Sequence, residues 1–150
     1  MKIINYIESP KNFNIEELIN YLAQILEIHE EAELTLMYND KLLNQLSKRD
    51  VEYSALLQNP IPNKYILFVK SDARGLHMII CHEMVHLQQY NSGKLKMDSN
   101  NRIVWWKGEK FDTTSDYMER EWENEAFRMQ DKLWRSFKKF KKNNNETTED

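Results

Sequence analysis

Two histidines and a glutamate in the segment 82–86 (HEMVH) have the residue types and the spacing of a metal-binding pair with a neighbouring acid. Four positions along a helix amount to roughly 400° of rotation, so the imidazoles of His82 and His86 emerge on one face about one turn apart. Such a pair can hold one metal ion. Glu83 lies one step around the helix, which places its carboxylate beside the ion and within reach of a bound water. The pattern predicts two metal ligands, His82 and His86, and a catalytic base, Glu83.

The surroundings of this motif indicate a mostly buried helix over residues 72–90, with Ser71 or Asp72 as its cap and Gly93 as its left-handed end. In such a helix, two histidines and a carboxylate without partners would cost free energy, and a bound metal removes that cost. The alternative is that both histidines are core residues satisfied by backbone or carboxylate groups. Cys81, beside His82, is expected to be a small packed hydrophobe rather than a redox switch or a fourth ligand.

A third ligand must come from elsewhere in the chain, because a catalytic zinc ion takes three protein ligands and keeps one position for water. His77 lies about 140° around the same helix from His82, and His29 lies in an earlier helix, so both are poorly placed. A carboxylate is therefore expected. The start of the last predicted helix offers four glutamates, Glu119, Glu121, Glu123 and Glu125. Glu119 shares a face with Glu123, whereas Glu125 points about 200° away from it.

The HEMVH motif, followed by a Trp-Gly hairpin and by the segment 122–126 (WENEA), resembles the gluzincin branch of zinc metallopeptidases, especially small single-domain metallopeptidases of phages and bacteria. In gluzincins the third ligand is a glutamate of a later helix, often in a Glu-x-x-Ala setting, and Glu123 with Ala126 matches that setting. The resemblance covers residues 64–133. It implies Glu123 as the third zinc ligand; Glu119, which shares a helix face with Glu123, is the second choice. This chain has Glu121 where relatives are expected to have a proline before the Trp-Glu pair.

The function that the resemblance implies is zinc-dependent hydrolysis of peptide bonds. Zinc would lower the pKa of a bound water toward ~7 and polarise the scissile carbonyl, while Glu83 would pass the proton of that water to the leaving amine. Tyr90 and Tyr117 are candidates by position for contacts to the oxyanion or the substrate. The strand over residues 64–70 is expected to bind an extended peptide at a sheet edge, unless it is an interior strand.

Two other functions fit the same residues. One is a non-catalytic zinc-binding module of the zincin fold, in which the metal stabilises a surface for a partner. The other is a protease that acts on DNA-bound proteins or repressors, for which the only basic group is Lys138, Lys139, Lys141 and Lys142. Lysines at the end of a helix also complement its dipole, which is the simpler interpretation.

Aromatic residues are expected mostly in the core, with one or two facing the cleft: Trp105, Trp106, Phe111, Trp122, Phe127, Trp134 and Phe137.

The elements that must position the site predict an α+β fold. The resemblance makes it zincin-like, with a small mixed sheet packed on the active-site helix and a long C-terminal helix. Asn14 and Glu17 form a capping box for a first helix that ends near Glu30. Residues 59–63 contain two prolines and are expected to interrupt the sheet. The other predicted elements are strands over 33–37, 51–58 and 64–70, a short helix over 41–48, a hairpin of 103–106 with 109–111, and a helix from a capping box at Asp116 and Glu119 to about Lys141.

Composition bounds the class of protein. A chain of 150 residues with 41% hydrophobic and 30% charged residues predicts one folded domain over residues 1–142, followed by a disordered polar tail over 143–150. The net charge of -3 makes nucleic acid an unlikely partner. A single cysteine excludes an intramolecular disulfide, and neither a signal peptide nor a membrane span is visible. We therefore expect a cytoplasmic monomer, away from membranes, whose partner is a peptide or protein substrate.

Overall fold

The computed structural model describes residues 1–47, 53–98, 103–112 and 120–148. These residues form a mixed α+β fold with four helices and two sheets. In chain order the elements are β1 (Lys2–Asn5), α1 (Ile15–Ile25), β2 (Glu33–Tyr38), α2 (Asp40–Leu46), β3 (Ala55–Ile61), β4 (Lys64–Val69), α3 (Leu76–Asn91), β5 (Leu95–Met97), β6 (Ile103–Trp106), β7 (Glu109–Asp112) and α4 (Arg120–Thr148).

The larger sheet has the strand order β1-β2-β4-β3, in which β1, β2 and β4 are parallel and β3 is an antiparallel edge strand. Side chains of a strand alternate between the two faces of its sheet. Leu34 and Leu36 of β2 are accordingly buried beside their partners Tyr65 and Leu67 of β4. One face of this sheet therefore supplies much of the core.

Helix α1 packs into the same core and makes the crossover that the parallel pair β1 and β2 requires. The predicted cap is confirmed, because Asn14 Oδ1 accepts a hydrogen bond from the Glu17 amide at 2.9 Å. The helix ends at Ile25, earlier than the predicted end near Glu30. Glu27 has a φ of 54°, a left-handed conformation that no continuing α-helix contains.

One strand prediction is wrong. Residues 59–63 were expected to interrupt the sheet, but β3 continues through Pro60 to Ile61, with an irregularity between Gln58 and Ile61. An edge strand tolerates proline because the missing amide need not face a partner strand. For residues 64–70 two alternatives were open, and β4, which lies between β2 and β3, is the interior strand and not the sheet edge. Strands β1 and β5 were not predicted.

The second sheet, β5-β6-β7, contains the predicted hairpin. Lys107 and Gly108 form its turn with φ values of 50° and 85°, the left-handed pair that a two-residue hairpin turn requires. Leu95, Val104, Trp106 and Trp122 form a small buried cluster, so this sheet packs against the first turn of α4.

Helices α3 and α4 pack along each other. Helix α3 begins at Leu76, after Gly75 with a φ of 67°, and not at residue 72. The predicted cap Ser71 is instead bonded through its amide and its hydroxyl to Asp40. Gly93 ends the helix as predicted, with a φ of 81°.

Helix α4 has 29 residues and ends at Thr148. The tail expected to be disordered from residue 143 is thus helical as far as Thr148, since hydrogen bonds within a helix can extend it beyond the part that packs. The capping box predicted at Asp116 and Glu119 lies outside the described residues. Among the helices of the described ranges, none combines the length and the apolar character that a membrane span requires.

Candidate metal centre

The site consists of three side chains whose polar atoms converge. Nε2 of His82 lies 3.2 Å from Nε2 of His86, and the two carboxylate oxygens of Glu123 lie 3.1 Å from His82 Nε2 and 2.9 Å from His86 Nε2. Two ligand atoms of a tetrahedral zinc ion stand about 3.4 Å apart when each is about 2.05 Å from the metal. The two nitrogens are separated by nearly that distance, each carboxylate oxygen lies near a different imidazole, and one ligand atom from each residue lies within 4.8 Å of the others. The group could therefore hold one metal ion with small adjustments.

Two helices build this group. His82 and His86 lie one turn apart on α3, and their rings stand 4.8 Å apart between centroids. Glu123 comes from the first turn of α4, which packs along α3. Ala126, one turn further, is fully buried in the core. Its small side chain lets the two helix backbones approach closely enough for the carboxylate to reach both imidazoles.

Each imidazole is oriented by a glutamine on its far side. Gln130 Oε1 lies 2.8 Å from His82 Nδ1, and Gln89 Oε1 lies 2.8 Å from His86 Nδ1. An amide oxygen only accepts hydrogen bonds, so each Nδ1 carries the proton in the neutral ring and each Nε2 has a free lone pair. Such outer partners fix the ring orientation and the tautomer of histidines that bind metals. The arrangement directs both Nε2 atoms toward Glu123.

Gln89 also joins the two helices. Its side chain is fully buried, and its Nε2 donates to the Trp122 carbonyl at 3.0 Å and to Glu125 Oε1 at 3.1 Å. Both partners are acceptors, which fixes the amide orientation and leaves Oε1 to face His86. Glu125 is thus engaged by Gln89 and is not among the converging ligands, in agreement with its predicted direction away from Glu123.

The roles of Gln89 and Gln130 as orienting residues were not predicted from the sequence. A signal for Gln89 exists, because it is a polar residue three positions after His86 in a helix, where its side chain can reach that ring. The partner of Gln89 on α4 is the backbone carbonyl of Trp122, which no side-chain pattern identifies. Gln130 follows Glu123 by seven positions, about two turns, and so shares its face.

Charges within the group are strongly coupled. Burial alone would lower the pKa of His86, but hydrogen bonding to Glu123 and the charge of Glu83 outweigh it and raise that pKa to about 9. The pKa of His82 is also raised, because its bond to Glu123 and the charge of Glu83 outweigh burial. Burial would raise the pKa of Glu123, yet the two histidines lower it to about 2. At neutral pH, zinc binding would therefore displace a proton from the His86 imidazole.

Glu83 is half-buried beside this group. Burial raises its pKa, an effect that the charges of His86 and His82 oppose and that of Glu123 reinforces. The pKa of Glu83 is raised as a net result. A raised pKa is the direction that a carboxylate needs in order to exchange protons near neutral pH.

The sequence also predicted roles for Tyr90, Tyr117, Glu119 and Cys81. The Tyr90 hydroxyl donates to Met97 Sδ at 3.6 Å, and burial raises its pKa to about 12, so it keeps its proton and can donate a hydrogen bond at neutral pH. Its role at an oxyanion or a substrate stays a prediction. Tyr117 and Glu119 lie outside the described residues. Cys81 is fully buried, and burial raises the pKa of its thiol to about 12, which agrees with a packed side chain.

The other two histidines do not join the group. The His77 ring packs against the Trp134 ring, with 4.7 Å between centroids. His29 is exposed, and its Nδ1 accepts a hydrogen bond from the Glu31 amide at 3.2 Å. Both were predicted to be poorly placed for the metal.

We expect Gln89→Met to lower the zinc affinity about 10- to 100-fold while the three ligands are unchanged, because His86 loses its orienting acceptor. The free energy of unfolding should fall by about 1–3 kcal/mol, since the Trp122 carbonyl loses its partner. Competition with a chromogenic zinc chelator and urea unfolding measure the two effects. The matched control is Gln88→Met, at the half-buried neighbouring position. An equal loss of zinc affinity in both variants would contradict the role of Gln89.

Comparison of this chain with protein-family models, with curated proteins and with solved structures finds no match. The resemblance to gluzincins is therefore carried by the residues of the motif and of the segment 122–126.

Proposed function

We propose that this protein is a zinc-dependent metallopeptidase with a zincin-like arrangement of its helices and larger sheet. One observation carries the proposal: His82 Nε2, His86 Nε2 and the Glu123 carboxylate converge from two helices, with all ligand atoms within 4.8 Å of one another. Glu83, the neighbour of His82, then provides an acid that is not one of the three ligands.

The donor set fits zinc. Two imidazoles and one carboxylate form a known catalytic ligand set for zinc, which leaves a further position open. When bound, zinc would polarise a peptide carbonyl and make water a nucleophile near neutral pH. The exposure of the side chains agrees with a coordination position that is open to solvent, because the Glu123 side chain is 39% exposed whereas the His86 side chain is 9% exposed.

Glu83 is the proposed proton carrier. In its ionised form its carboxylate accepts a proton from the attacking water, and it then donates that proton to the amine nitrogen of the cleaved bond. The raised pKa of Glu83 suits both halves of this transfer. His82 and His86 hold the metal, and the two glutamines keep their Nε2 atoms directed at it.

The substrate would bind along β3 rather than along β4. Strand β3 is the antiparallel edge of the larger sheet, and it contacts α3, which carries the two histidines. An extended peptide can add to such an edge through main-chain hydrogen bonds and place one of its peptide bonds beside the helix. The choice of β3 replaces the earlier expectation for β4, which has a partner strand on each side.

The basic group expected for a protease of DNA-bound proteins is partly engaged within the chain. Lys141 forms an ion pair with Glu17 at 2.7 Å, and Lys138 lies over the Trp134 ring at 5.9 Å. These contacts favour an intramolecular role for two of the four lysines. A general peptidase is therefore the better supported proposal.

The test is to purify the protein without added metal, to measure its metal content by mass spectrometry, and to incubate it with a mixture of unstructured peptides. We expect about one zinc ion per chain and peptide cleavage that a chelator abolishes and added zinc restores. Stoichiometric zinc without cleavage would favour the non-catalytic module instead. Protein that binds no zinc at micromolar concentration would overturn the proposal.

A further inference from the structure

Phe127 differs from the other apolar residues of α4 near the site. It is 60% exposed, whereas Ala126, Leu133, Trp134 and Phe137 are at most 9% exposed and Phe140, further along the helix, is 38% exposed. Phe127 follows Glu123 by one helical turn and so lies on the same face of α4. Its ring contacts the His82 ring edge to face, with 4.7 Å between centroids and 60° between the planes.

This ring stands at the open side of the site. The side chains of His82 and His86 are 14% and 9% exposed, whereas that of Glu123 is 39% exposed, so the group reaches solvent mainly on the side of α4. Phe127 extends that side by one turn. The contact with His82 covers one part of the phenyl ring, and the remaining apolar surface faces water, where it loses the free energy that burial would provide.

We propose that Phe127 determines substrate specificity by packing against a large apolar or aromatic side chain next to the cleaved bond. The inference rests on the proposed function and adds a substrate class to it. A side chain laid on the exposed phenyl surface removes apolar area of both groups from water, and an aromatic one adds the edge-to-face attraction between rings. A small or charged side chain at that position gains neither.

Binding of two zinc-directed probes tests this proposal without relying on catalysis. The probes are N-blocked phenylalanine hydroxamate and N-blocked glycine hydroxamate, which share the zinc-binding group and differ by the benzyl side chain. Calorimetry with the zinc-loaded protein should show about tenfold tighter binding of the benzyl probe. Phe127→Ala should reduce this preference to about twofold, and Phe127→Leu should retain part of it.

The control is Tyr6→Ala, which removes an aromatic ring that is 67% exposed and lies beyond β1, in a part of the chain without metal ligands. It should leave the tenfold preference unchanged. Equal binding of both probes by the unmodified protein, or an undiminished preference in Phe127→Ala, would overturn the role of Phe127 and leave the zinc site standing. If neither probe bound the zinc-loaded protein, the proposed function itself would be overturned, and the role of Phe127 with it.

Discussion

If the proposed function holds, we expect Glu83→Gln to lower the rate of peptide hydrolysis about 10²- to 10⁴-fold, the usual contribution of a general base, and to leave the zinc content unchanged. Glutamine keeps the shape of the side chain but cannot accept and return a proton near neutral pH. The substitution also removes a half-buried carboxylate whose pKa burial raises, so the variant should be no less stable than the unmodified protein. Steady-state hydrolysis of a fluorogenic peptide measures the rate, and mass spectrometry measures the metal.

The matched control for this prediction is Glu109→Gln, an exposed position in the hairpin of the second sheet. It removes the same charge far along the chain from the motif and should retain full activity. If Glu83→Gln retained more than about a tenth of the activity, another group would have to be the base.

Glu123→Ala has the largest expected effect on metal binding. Three ligands share a binding free energy on the order of 10 kcal/mol, so the loss of one should weaken zinc binding about 300-fold. Glu125→Ala removes a carboxylate two residues away that contacts Gln89 at 3.1 Å and not the imidazoles. We expect the zinc affinity of that variant to fall no more than about tenfold, the smaller effect seen when a group that supports a metal ligand is removed.

The comparison of these two variants decides which glutamate binds the metal. Both remove one negative charge from the same turn of α4, so a general electrostatic effect on zinc would change their affinities equally. Equal affinities in a chelator competition would therefore reject Glu123 as a ligand. A second readout is the pKa of His86, measured by NMR in the metal-free protein, which should fall from about 9 in Glu123→Ala because the main hydrogen-bond partner of the ring is lost.

The site was more predictable than the fold around it, for a physical reason. The spacing of His82 and His86 defines their common face through helical geometry alone, and Glu123 was selected by the same geometry together with the resemblance. The structure brings these three residues together. The contact of Gln130 with His82 was missed because it depends on how α3 and α4 pack, which no local pattern records. Gln89 contacts His86 within α3, but its bond to the Trp122 carbonyl depends on the same packing of the two helices.

The fold was predicted where local signals decide it. Asn14 caps α1 and Gly93 ends α3 as predicted, because both positions are determined by backbone geometry within one turn. The order of the strands depends instead on contacts between distant segments. This is why residues 64–70 could be either an interior strand or a sheet edge on the sequence alone, and why β3 could not be recognised as an edge strand that includes Pro60.

The distance along the chain between the proposed metal ligands affects the stability of the segment between them. Thirty-six residues lie between His86 and Glu123, and an ion held by both would close them into a loop, as a covalent staple does. Closing such a loop reduces the conformational entropy of the unfolded chain, which stabilises the folded state by about 4 kcal/mol. Gln89 of α3 already links the same two helices through its hydrogen bond to the Trp122 carbonyl of α4. The bound ion and the Gln89 amide would thus link α3 to α4 at two points. The β5-β6-β7 sheet, which lies within that loop of the chain, would become more rigid when the ion is bound.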